Sequence, residues 1–280
     1  MSDKSILITG CSSGIGEAAA LDLAARGWRV FATARKAEDI ARLDAVDGIE
    51  ALYLDYTDQA SIEAVAATVL ERTNGKLYAL FNNGAYGQPG AVEDLPTDAL
   101  RVQFETNLFG WHELTRRLIP AMRANGRGRI IQCSSVLGFV AMKYRGAYNA
   151  SKFALEGLTD TLRQELYGTG IAVVSIEPGP IATKFGQNAV AAFRRNIVIE
   201  GSPHQKVYEE SLGRFRGRSA GVFTLQSSAV VAKLRHALMS SRPKPYYCVT
   251  FPTYLMGALK RILPNRLMQR FLAAVSNANT

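Results

Sequence analysis

Tyr148 and Lys152 have the residue types and the spacing of an acid/base pair. Four residues apart, they would lie on one face of a helix. A phenol titrates at about pH 10, and a nearby ammonium favours the phenolate and so lowers its pKa. The pair therefore predicts a proton donor and acceptor that works near neutral pH. The alternative is a coincidence on a helix surface, because this spacing also arises by chance.

Two further polar residues are catalytic candidates. Ser135 follows an apolar run that we predict to be a strand, where its hydroxyl could polarise a substrate carbonyl. Ser134 is the rival, although neighbouring side chains of an extended segment should point to opposite faces. Asn107 lies inside a predicted helix, Asp98–Ile119, where an asparagine is slightly unfavourable unless it has a function or faces water.

A glycine-rich segment follows the first predicted strand and opens the first predicted helix. Glycines let a backbone approach a pyrophosphate closely, and a helix N-terminus presents free N–H groups and the positive end of the helix dipole. The position of the segment predicts a dinucleotide site rather than a plain tight turn. Its candidate binding residues are Gly10, Ser12, Ser13, Gly14, Ile15 and Gly16.

The end of the second predicted strand should determine the choice of dinucleotide. An NAD site places an acid there for the ribose 2′-hydroxyl, whereas an NADP site places a cation for the 2′-phosphate. This chain has no acid there but two cations, Arg35 and Lys36, and a guanidinium suits bidentate phosphate contact. The sequence thus predicts NADP(H), unless Arg35 merely starts a solvated helix. Asp55, after the third strand, could accept a hydrogen bond from adenine or cap the following helix.

Apolar runs alternate with amphipathic stretches such as Gly16–Arg26 and Ser61–Arg72. Because the runs are continuously apolar, they predict parallel strands buried on both faces. Right-handed crossovers then give a doubly wound α/β (Rossmann) sheet, with ligands at the carboxyl ends of its strands. We expect a single domain over residues 1–280. The predicted strands are Ser5–Thr9, Arg29–Thr33, Glu50–Leu54, Leu77–Asn82, Arg129–Cys133, Ala172–Ile176 and Tyr246–Val249.

The composition is globular, with 48% hydrophobic and 20% charged residues. The net charge of +9 is uneven, because residues 181–280 hold 15 basic residues against 3 acidic ones. Cys11, Cys133 and Cys248 have neither metal-ligand nor disulfide spacing, so we predict buried structural thiols, no metal and a cytoplasmic location. No apolar run is long enough for a signal peptide or a membrane span.

Taken together, the motifs resemble the short-chain dehydrogenase/reductase family over essentially the whole chain. Arg35 and the long basic tail are similar to those of bacterial NADP-dependent aldehyde and alcohol reductases, which in turn resemble 17β-hydroxysteroid and retinol dehydrogenases. The motifs that carry the resemblance are Thr9-x3-Gly14-x-Gly16, Asn82-Asn83-Gly84-Ala85, Asn107, Ser135, Tyr148-x3-Lys152 and Pro178-Gly179-Pro180.

The resemblance implies that Tyr148 protonates a carbonyl oxygen while NADPH delivers hydride to the carbon. Ser135 would orient the oxygen, and Asn107 would anchor a water of the proton relay. Lys152 would hold the nicotinamide ribose and lower the Tyr148 pKa. A homodimer or homotetramer is also implied. The further residues expected to contact the cofactor are Asn83, Tyr148, Lys152, Pro178, Gly179, Ile181 and Thr183.

One departure concerns the turn after the fourth predicted strand. The family usually has Asn-Asn-Ala-Gly there, and this chain has Asn-Asn-Gly-Ala at 82–85. The exchange moves the conformationally free residue one place earlier, to Gly84, and adds the methyl of Ala85 where the backbone normally passes the cofactor. We still expect cofactor binding, with a changed local turn.

Residues 183–225 are predicted to be a loop or small helices that cover the mouth of the site. Their apolar residues indicate either a lipophilic substrate or ordinary packing, and the opposite wall would come from residues 137–142. The covering residues are Phe185, Ala189, Val190, Ala192, Phe193, Ile197, Val198, Ile199 and Phe215, and the wall residues are Leu137, Phe139, Val140 and Met142.

Residues 252–280 are predicted to form an extension of one or two amphipathic helices, interrupted near Pro264. A basic amphipathic helix can rest on an anionic membrane. Packing on the domain itself or on a second subunit is the preferred interpretation. The apolar stripe holds Tyr254, Leu255, Ala258, Leu259, Ile262 and Leu263, and its basic neighbours are Lys260, Arg261, Arg266 and Arg270.

Three classes of function fit these features. A reductase of a small carbonyl compound is favoured, because every expected catalytic side chain is present. A sensor or regulator that binds the cofactor on the same fold is the alternative, against which the retained Tyr148 and Lys152 count. Nucleic-acid binding is suggested only by the pI of about 9.6, and no basic run interleaved with aromatic residues supports it.

Overall fold

A parallel β-sheet forms the centre of the protein. The computed structural model describes residues 4–217 and 221–279, and seven strands within them build this sheet. They are β1 Ser5–Ile8, β2 Arg29–Ala34, β3 Ile49–Tyr53, β4 Ala79–Asn82, β5 Gly128–Cys133, β6 Ile171–Glu177 and β7 Tyr246–Cys248. Each predicted strand is confirmed to within two residues at either end. The interior strands are buried on both faces, which explains why their sequences are apolar throughout.

Helices connect the strands and cover both faces of the sheet. Since β1 and β4 lead to crossovers in opposite directions, right-handed connections put their helices on opposite faces. The α-helices of the described residues are α1 Gly14–Ala24, α2 Ala37–Asp44, α3 Gln59–Arg72, α4 Thr97–Phe104, α5 Gly110–Ala124, α6 Gly146–Glu165, α7 Phe185–Asn196, α8 Gln205–Gly217, α9 Ser227–Met239, α10 Phe251–Ile262 and α11 Asn265–Asn279.

The strand order β3-β2-β1-β4-β5-β6-β7 reverses direction between β1 and β4. The chain runs outwards from β1 to β3 on one side, then crosses back and runs from β4 to β7 on the other. The loops that leave β1 and β4 therefore diverge and open a crevice at the carboxyl ends of the strands. The predicted cofactor loop and Ser135 both lie at this edge.

A polar network lies under the crevice at the end of β4. Asn82 is fully buried, and its Nδ2 donates to Thr115 Oγ1 at 2.9 Å and to Gln132 Oε1 at 3.0 Å. Its Oδ1 accepts the Tyr56 hydroxyl at 2.8 Å. The network joins β4, β5, α5 and the segment after β3, so it holds the floor of the crevice in one arrangement.

The predicted helix Asp98–Ile119 is interrupted. A π-helical turn, Glu105–Phe109, separates α4 from α5 and contains Asn107. Such turns insert one extra residue per turn and change which side chains face the core. The prediction of one regular helix is therefore wrong at Asn107, the residue for which a function was expected.

The two irregular regions are helical. Residues 183–225 contain α7 and α8, which are longer than the small helices predicted, and residues 218–220 lie outside the described part of the chain. The tail forms α10 and α11, with the break at Pro264 as predicted. Among the described residues, no helix combines the length and the apolar character needed to cross a membrane.

Candidate active site

Tyr148 and Lys152 lie one turn apart on α6, near its start. Lys152 is buried, and its Nζ donates to the carbonyl oxygen of Cys133 at 2.8 Å. The same ammonium lies 4.3 Å from the centre of a Trp111 ring and 5.8 Å from the centre of the Tyr148 ring. The helix thus places a cation beneath a half-buried phenol, at the carboxyl end of β5.

Burial dominates the titration of both groups. It raises the pKa of the Tyr148 phenol above its ordinary value, although the Ser135 hydroxyl and the charge of Arg145 lower it. It lowers the pKa of Lys152 from 10.5 to about 8. The expectation that Lys152 brings the Tyr148 pKa down is therefore not met, because desolvation of the phenol is the largest effect and the charge that opposes it is that of Arg145. A phenol with a raised pKa is protonated at neutral pH, which is the state that a proton donor needs.

The two neighbouring serines face different groups. The Ser135 hydroxyl lies 3.5 Å from the Pro178 carbonyl oxygen and lowers the pKa of Tyr148, so it lies beside the phenol. Ser134 faces Glu156, whose pKa is raised by burial, and the Ser134 hydroxyl opposes that rise. This opposite orientation is the one expected for adjacent side chains of an extended segment. The structure brings Ser135, and not Ser134, to Tyr148.

Asn107 is buried in the π-helical turn and bonds the loop after β4. Its Nδ2 donates to the Tyr86 carbonyl oxygen at 2.9 Å, and its Oδ1 accepts the Tyr86 N–H at 3.2 Å. Nδ2 also lies 3.4 Å from the Ser151 hydroxyl, which donates to the Tyr148 carbonyl oxygen at 2.9 Å. These contacts connect the loop to the first turns of α6. They are the contacts of a positioning residue, and the water-anchoring role stays a prediction.

The loops after β1 and β4 touch through their backbones. Gly10 has a φ of +70°, and a Cβ on it would lie 2.4 Å from Gly84 Cα. A Cβ on Gly16 would lie 2.4 Å from the Gly10 carbonyl oxygen. Asn83 bonds the same region, since its N–H donates to Thr9 Oγ1 at 2.8 Å and its Nδ2 donates to the Thr9 carbonyl oxygen at 3.0 Å. Only glycine fits at positions 10 and 16.

The turn at Gly84-Ala85 does not use the conformational freedom of its glycine. Gly84 does not adopt a positive φ, so the backbone there does not require a glycine. A Cβ on Gly84 would lie 3.2 Å from Gly10 N and 3.3 Å from the Tyr56 ring, a tight but not forbidden contact. The methyl of Ala85 packs against the main hydrophobic core. Residue 84 is small because it faces Gly10, and not because the turn needs its freedom.

An open groove of about 600 Å³ runs beside the start of α1. Ser12, Ser13 and Gly14 line one side of it, and Thr183 lines the other. The side chain of Ile15 packs on the core, while the first N–H groups of α1 have no partner within the helix and point out of its N-terminus. The groove thus has the backbone donors that a pyrophosphate requires.

Arg35 directly follows β2 and is 71% exposed. Its Nη1 lies 3.8 Å from Asp55 Oδ2. Asp55 Oδ1 accepts both the N–H and the hydroxyl of Thr57, at 3.0 and 2.9 Å, and so stabilises a turn. The cap of α3 is Asp58, whose side chain accepts the Ala60 N–H. The alternative that Asp55 caps this helix is wrong, and its contact with adenine stays a prediction.

Arg42, on α2, contacts the glycine-rich loop and was not among the predicted site residues. Its guanidinium donates to the Ser12 carbonyl oxygen at 3.0 Å, to the Asp39 carboxylate at 3.0 Å and to the Glu17 carboxylate. These bonds fasten the glycine-rich loop to a helix 30 residues later in the chain. An arginine three residues after an aspartate is an ordinary pattern on helix surfaces, so no local signal could have identified the contact.

The loop after β6 passes the site and meets the tail. The Pro178 carbonyl oxygen accepts the Val136 N–H at 2.9 Å. A Cβ on Gly179 would lie 2.1 Å from Thr250 Oγ1, at the start of α10. Ile181 pairs with Leu225 in a short parallel bridge. The residues that the resemblance assigns to the nicotinamide are therefore held by Val136, which precedes them in the chain, and by Leu225 and Thr250, which follow them.

The tail builds one wall beside Tyr148. A hydrophobic cluster joins the loop after β5 to α10 and α11, and Tyr148 packs against it. Lys260 Nζ also donates to the Phe139 carbonyl oxygen at 2.6 Å. The predicted wall residues thus lie in this cluster, together with tail residues that sequence analysis did not assign to the site. Its members include Leu137, Phe139, Val140, Met142, Met256, Met268 and Leu272.

Residues of the covering segment, 183–225, make two kinds of contact. The Phe185 ring lies edge-on to Tyr148, with 5.3 Å between ring centres. Phe193 and Ile197 are buried in a separate cluster with Tyr208, where they serve ordinary packing. The side chain of Phe215 lies outside the described residues. Phe185 therefore lies next to the predicted catalytic pair.

A family model described as short chain dehydrogenase matches residues 4–193. The chain belongs to the short-chain dehydrogenase/reductase family. It is 41% identical over 269 residues to the uncharacterized oxidoreductase YbbO of Escherichia coli K12, covering 96% of this chain and 94% of the relative. It is 30% identical to the NADPH-dependent 3-dehydrocapnine reductase of Ornithobacterium rhinotracheale, covering 94% of both chains.

A solved short-chain dehydrogenase from Streptomyces avermitilis has the same architecture. Its chain is 34% identical to this one, with 93% of both chains covered and a TM-score of 0.78. The doubly wound fold and the membership of an oxidoreductase family are thus confirmed. Members of this family act on small molecules with a nicotinamide dinucleotide, which agrees with the crevice described above.

The cysteines of this short-chain dehydrogenase/reductase have raised pKa values, and Cys248 is only partly buried, contrary to the prediction of buried thiols. All three are free thiols. Burial raises the pKa of Cys11 to about 12 and the pKa values of Cys133 and Cys248 to about 11. Since the thiolate is the nucleophilic form, these shifts agree with the structural role predicted for them. In the described part of the chain, no three His, Cys, Asp or Glu residues cluster as metal ligands would.

Two interacting carboxyls, the partly buried Glu156 and the buried Glu177, lie in the interior of this short-chain dehydrogenase/reductase. Glu177 ends β6, and burial together with the charge of Glu156 raises its pKa from 4.5 to about 7. The Cys248 thiol donates to Glu177 Oε2 at 3.4 Å and opposes this shift. A carboxyl whose pKa is raised on folding contributes stability below pH 4.5 that is lost as the pH rises through 7.

Gly10→Ala should unfold more easily and lose cofactor binding. The new Cβ combines left-handed strain with a clash against the Gly84 backbone, so we expect a loss of about 2–4 kcal/mol in the free energy of unfolding. Gly27→Ala is the matched control, since Gly27 also has a positive φ but nothing within 4 Å of an added Cβ. Urea unfolding would measure both variants. Equal losses in the free energy of unfolding of the two variants would show that the contact with Gly84 does not contribute to stability.

Glu177→Gln should stabilise the protein at pH 8 and not at pH 4.5. The glutamine has no proton to lose, so it avoids ionisation in a buried site and gains about 1–3 kcal/mol relative to wild type at the higher pH. Urea unfolding at the two pH values would measure the difference. Glu71→Gln, an exposed position on α3, is the control. A gain that is equal at both pH values would contradict the assigned pKa.

Proposed function

We propose that the chain is an NADP(H)-dependent reductase that interconverts a lipophilic aldehyde or ketone and its alcohol. One observation carries this proposal: a fully buried ammonium at Lys152 lies beneath the Tyr148 phenol, which has the Ser135 hydroxyl beside it. A protein that only sensed the cofactor would not need this arrangement, because burying an ammonium costs stability. The retained cluster therefore favours catalysis over sensing.

The residues of the crevice fit a dinucleotide. The glycines at positions 10 and 16 allow the loops after β1 and β4 to pack against each other, and the start of α1 supplies backbone donors for the pyrophosphate. Lys152 would hold the nicotinamide ribose, and the loop after β6 would border the nicotinamide. The full set of proposed contacts comprises Gly10, Ser12, Ser13, Gly14, Ile15, Gly16, Arg35, Asp55, Asn83, Tyr148, Lys152, Pro178, Gly179, Ile181 and Thr183.

In the proposed reaction the cofactor supplies a hydride and the protein supplies a proton. NADPH supplies the hydride for the carbonyl carbon. Tyr148 gives its phenolic proton to the carbonyl oxygen, which becomes the hydroxyl of the alcohol. Ser135 donates a hydrogen bond to that oxygen and polarises the carbonyl. In the reverse direction the Tyr148 phenolate accepts the proton of the alcohol. Burial raises the pKa of Tyr148 and so keeps the phenol protonated, which is the form that donates a proton to the carbonyl oxygen.

The choice of NADP(H) rests on Arg35. Its guanidinium follows β2 at the position where the ribose 2′-substituent would lie, and it is largely exposed. Asp55 lies 3.8 Å away and would orient this guanidinium rather than bind the ribose. The similarity to a reductase whose name states NADPH dependence supports the same choice.

The lipophilic substrate is supported by the walls around Tyr148. Phe185 lies on one side of the phenol, and the cluster formed by the loop after β5 with α10 and α11 lies on the other. Walls of this kind bind apolar groups, while Tyr148 and Ser135 provide the polar contacts that orient one carbonyl.

We also propose a homo-oligomer in the reducing cytoplasm. Exposed apolar side chains on α4, the π-helical turn and α6 support self-association, and the three free thiols support a reducing compartment. The exposed side chains are Val102, Phe109, Phe153 and Leu158.

Tyr148→Phe should lower kcat with NADPH by about 10²- to 10⁴-fold, because general acid catalysis contributes that much. The assay is NADPH oxidation across aliphatic, aromatic and retinoid-like aldehydes and ketosteroids. Tyr246→Phe, whose hydroxyl bonds Asp160 at the far edge of the sheet, is the control and should retain activity. Full activity in Tyr148→Phe would refute the assigned acid. Tight NADPH binding without turnover of any carbonyl in the wild type would favour the sensor.

Arg35→Ala should raise the KM for NADPH by about 10- to 100-fold, since charged hydrogen bonds to a phosphate would be lost. The KM for NADH should not change, because that cofactor has no 2′-phosphate. Lys36→Ala is the control, as its ammonium pairs with Glu38 at 3.3 Å. Initial rates with both cofactors would measure these values. Equal kcat/KM for NADH and NADPH in the wild type would rule out the proposed preference.

A further inference from the structure

The outer face of α10 is apolar but exposed. Phe251, Tyr254, Leu255 and Ile262 recur at spacings of three, four and seven residues, which places them on one side of the helix. Phe251 is 61% exposed and Ile262 75% exposed. The inner side is occupied by other residues of the apolar stripe, such as Leu259, which pack towards the active site. The helix therefore has two apolar faces, and the protein covers only one of them.

A second segment extends this exposed face. The Phe223 ring stacks on Phe251, with 5.4 Å between ring centres and 26° between planes. Its neighbour Val222 is 95% exposed. Together these side chains form an exposed apolar surface, which we call the apolar rim. Its members are Val222, Phe223, Phe251, Tyr254, Leu255 and Ile262.

The apolar rim adjoins the loop that would border the nicotinamide. Leu225 N donates to the Pro180 carbonyl oxygen at 3.1 Å, and its own carbonyl accepts the Ala182 N–H at 2.9 Å. At the other end, Thr250 lies against Gly179, directly before Phe251. The two segments that carry the rim thus hold this loop between them, at the mouth of the site.

The part of the sequence that carries the apolar rim is basic. Residues 211–280 hold 11 lysines and arginines and no aspartate or glutamate. Arg261 on α10 and Arg266 and Arg270 on α11 are exposed. An exposed apolar face that includes aromatic side chains and is flanked by cations complements the apolar interior and the negative surface of an anionic bilayer.

We propose that the apolar rim docks on the surface of an anionic lipid bilayer, with α10 lying in the interface. Phe251, Leu255 and Ile262 enter the boundary between headgroups and acyl chains, while the nearby arginines contact phosphate groups. This docking does not depend on the reductase activity proposed above. If that activity is correct, the docked orientation turns the mouth of the site towards the membrane, where a lipophilic carbonyl compound would be concentrated.

The experiment is sedimentation of the full chain with vesicles at low salt. Vesicles of equal parts phosphatidylglycerol and phosphatidylcholine should pellet the protein, whereas phosphatidylcholine alone should not, and added salt should release it. The absence of pelleting with the anionic vesicles would overturn the proposal. Equal pelleting with both kinds of vesicle would overturn it too, because the basic residues would then have no part in binding.

Ile262→Glu should weaken partitioning onto the anionic vesicles by about 10-fold or more, since it removes an inserted side chain. Met239→Glu is the control, because Met239 is 71% exposed on α9, outside the rim. Circular dichroism and light scattering would monitor folding and mass. Equal loss in both variants would overturn the proposal. So would a change of mass in Ile262→Glu with unchanged vesicle binding, which would identify the rim as a subunit interface.

Discussion

The contact between the backbones of the loops after β1 and β4 is the constraint on which the site depends. The two strands are neighbours in the sheet, yet their chains leave in opposite directions, so the loops can meet only at their first residues. Thr9 fastens them, since its hydroxyl accepts the N–H groups of Asn83 and Gly84. Glycine at position 10 permits the close approach, and the remaining loop backbone faces the crevice.

The catalytic candidates depend on a second constraint, the desolvation of the space above β5. Trp111 and the Cys133 carbonyl surround the Lys152 ammonium, and burial keeps the neighbouring phenol protonated. Asn107 holds α6 to the loop after β4 and so limits the position of Tyr148. The helices α10 and α11 then close the wall beside this residue. The sheet edge, the π-helical turn and the tail helices thus all contribute to the position and the surroundings of Tyr148 and Lys152.

Much of the architecture was predictable because local patterns carry it. Strands buried on both faces must be apolar throughout, and all seven were located to within two residues. Tyr148 and Lys152 share a helix face by their spacing alone. The π-helical turn was not predictable, since it depends on the bonds of Asn107 to Tyr86, which is distant in the sequence. The same reason explains why Arg42 and the tail residues of the site wall were missed.

The sequence by itself determined the strands, the glycine-rich turn and the spacing of the catalytic candidates, because each follows from neighbouring residues and the geometry of one element. The tertiary structure decided which serine meets Tyr148, why residue 84 is small and what the tail contacts. It also decided the direction of the Tyr148 pKa shift. These outcomes depend on burial and on close approach between distant segments, and neither quantity exists until the chain has folded.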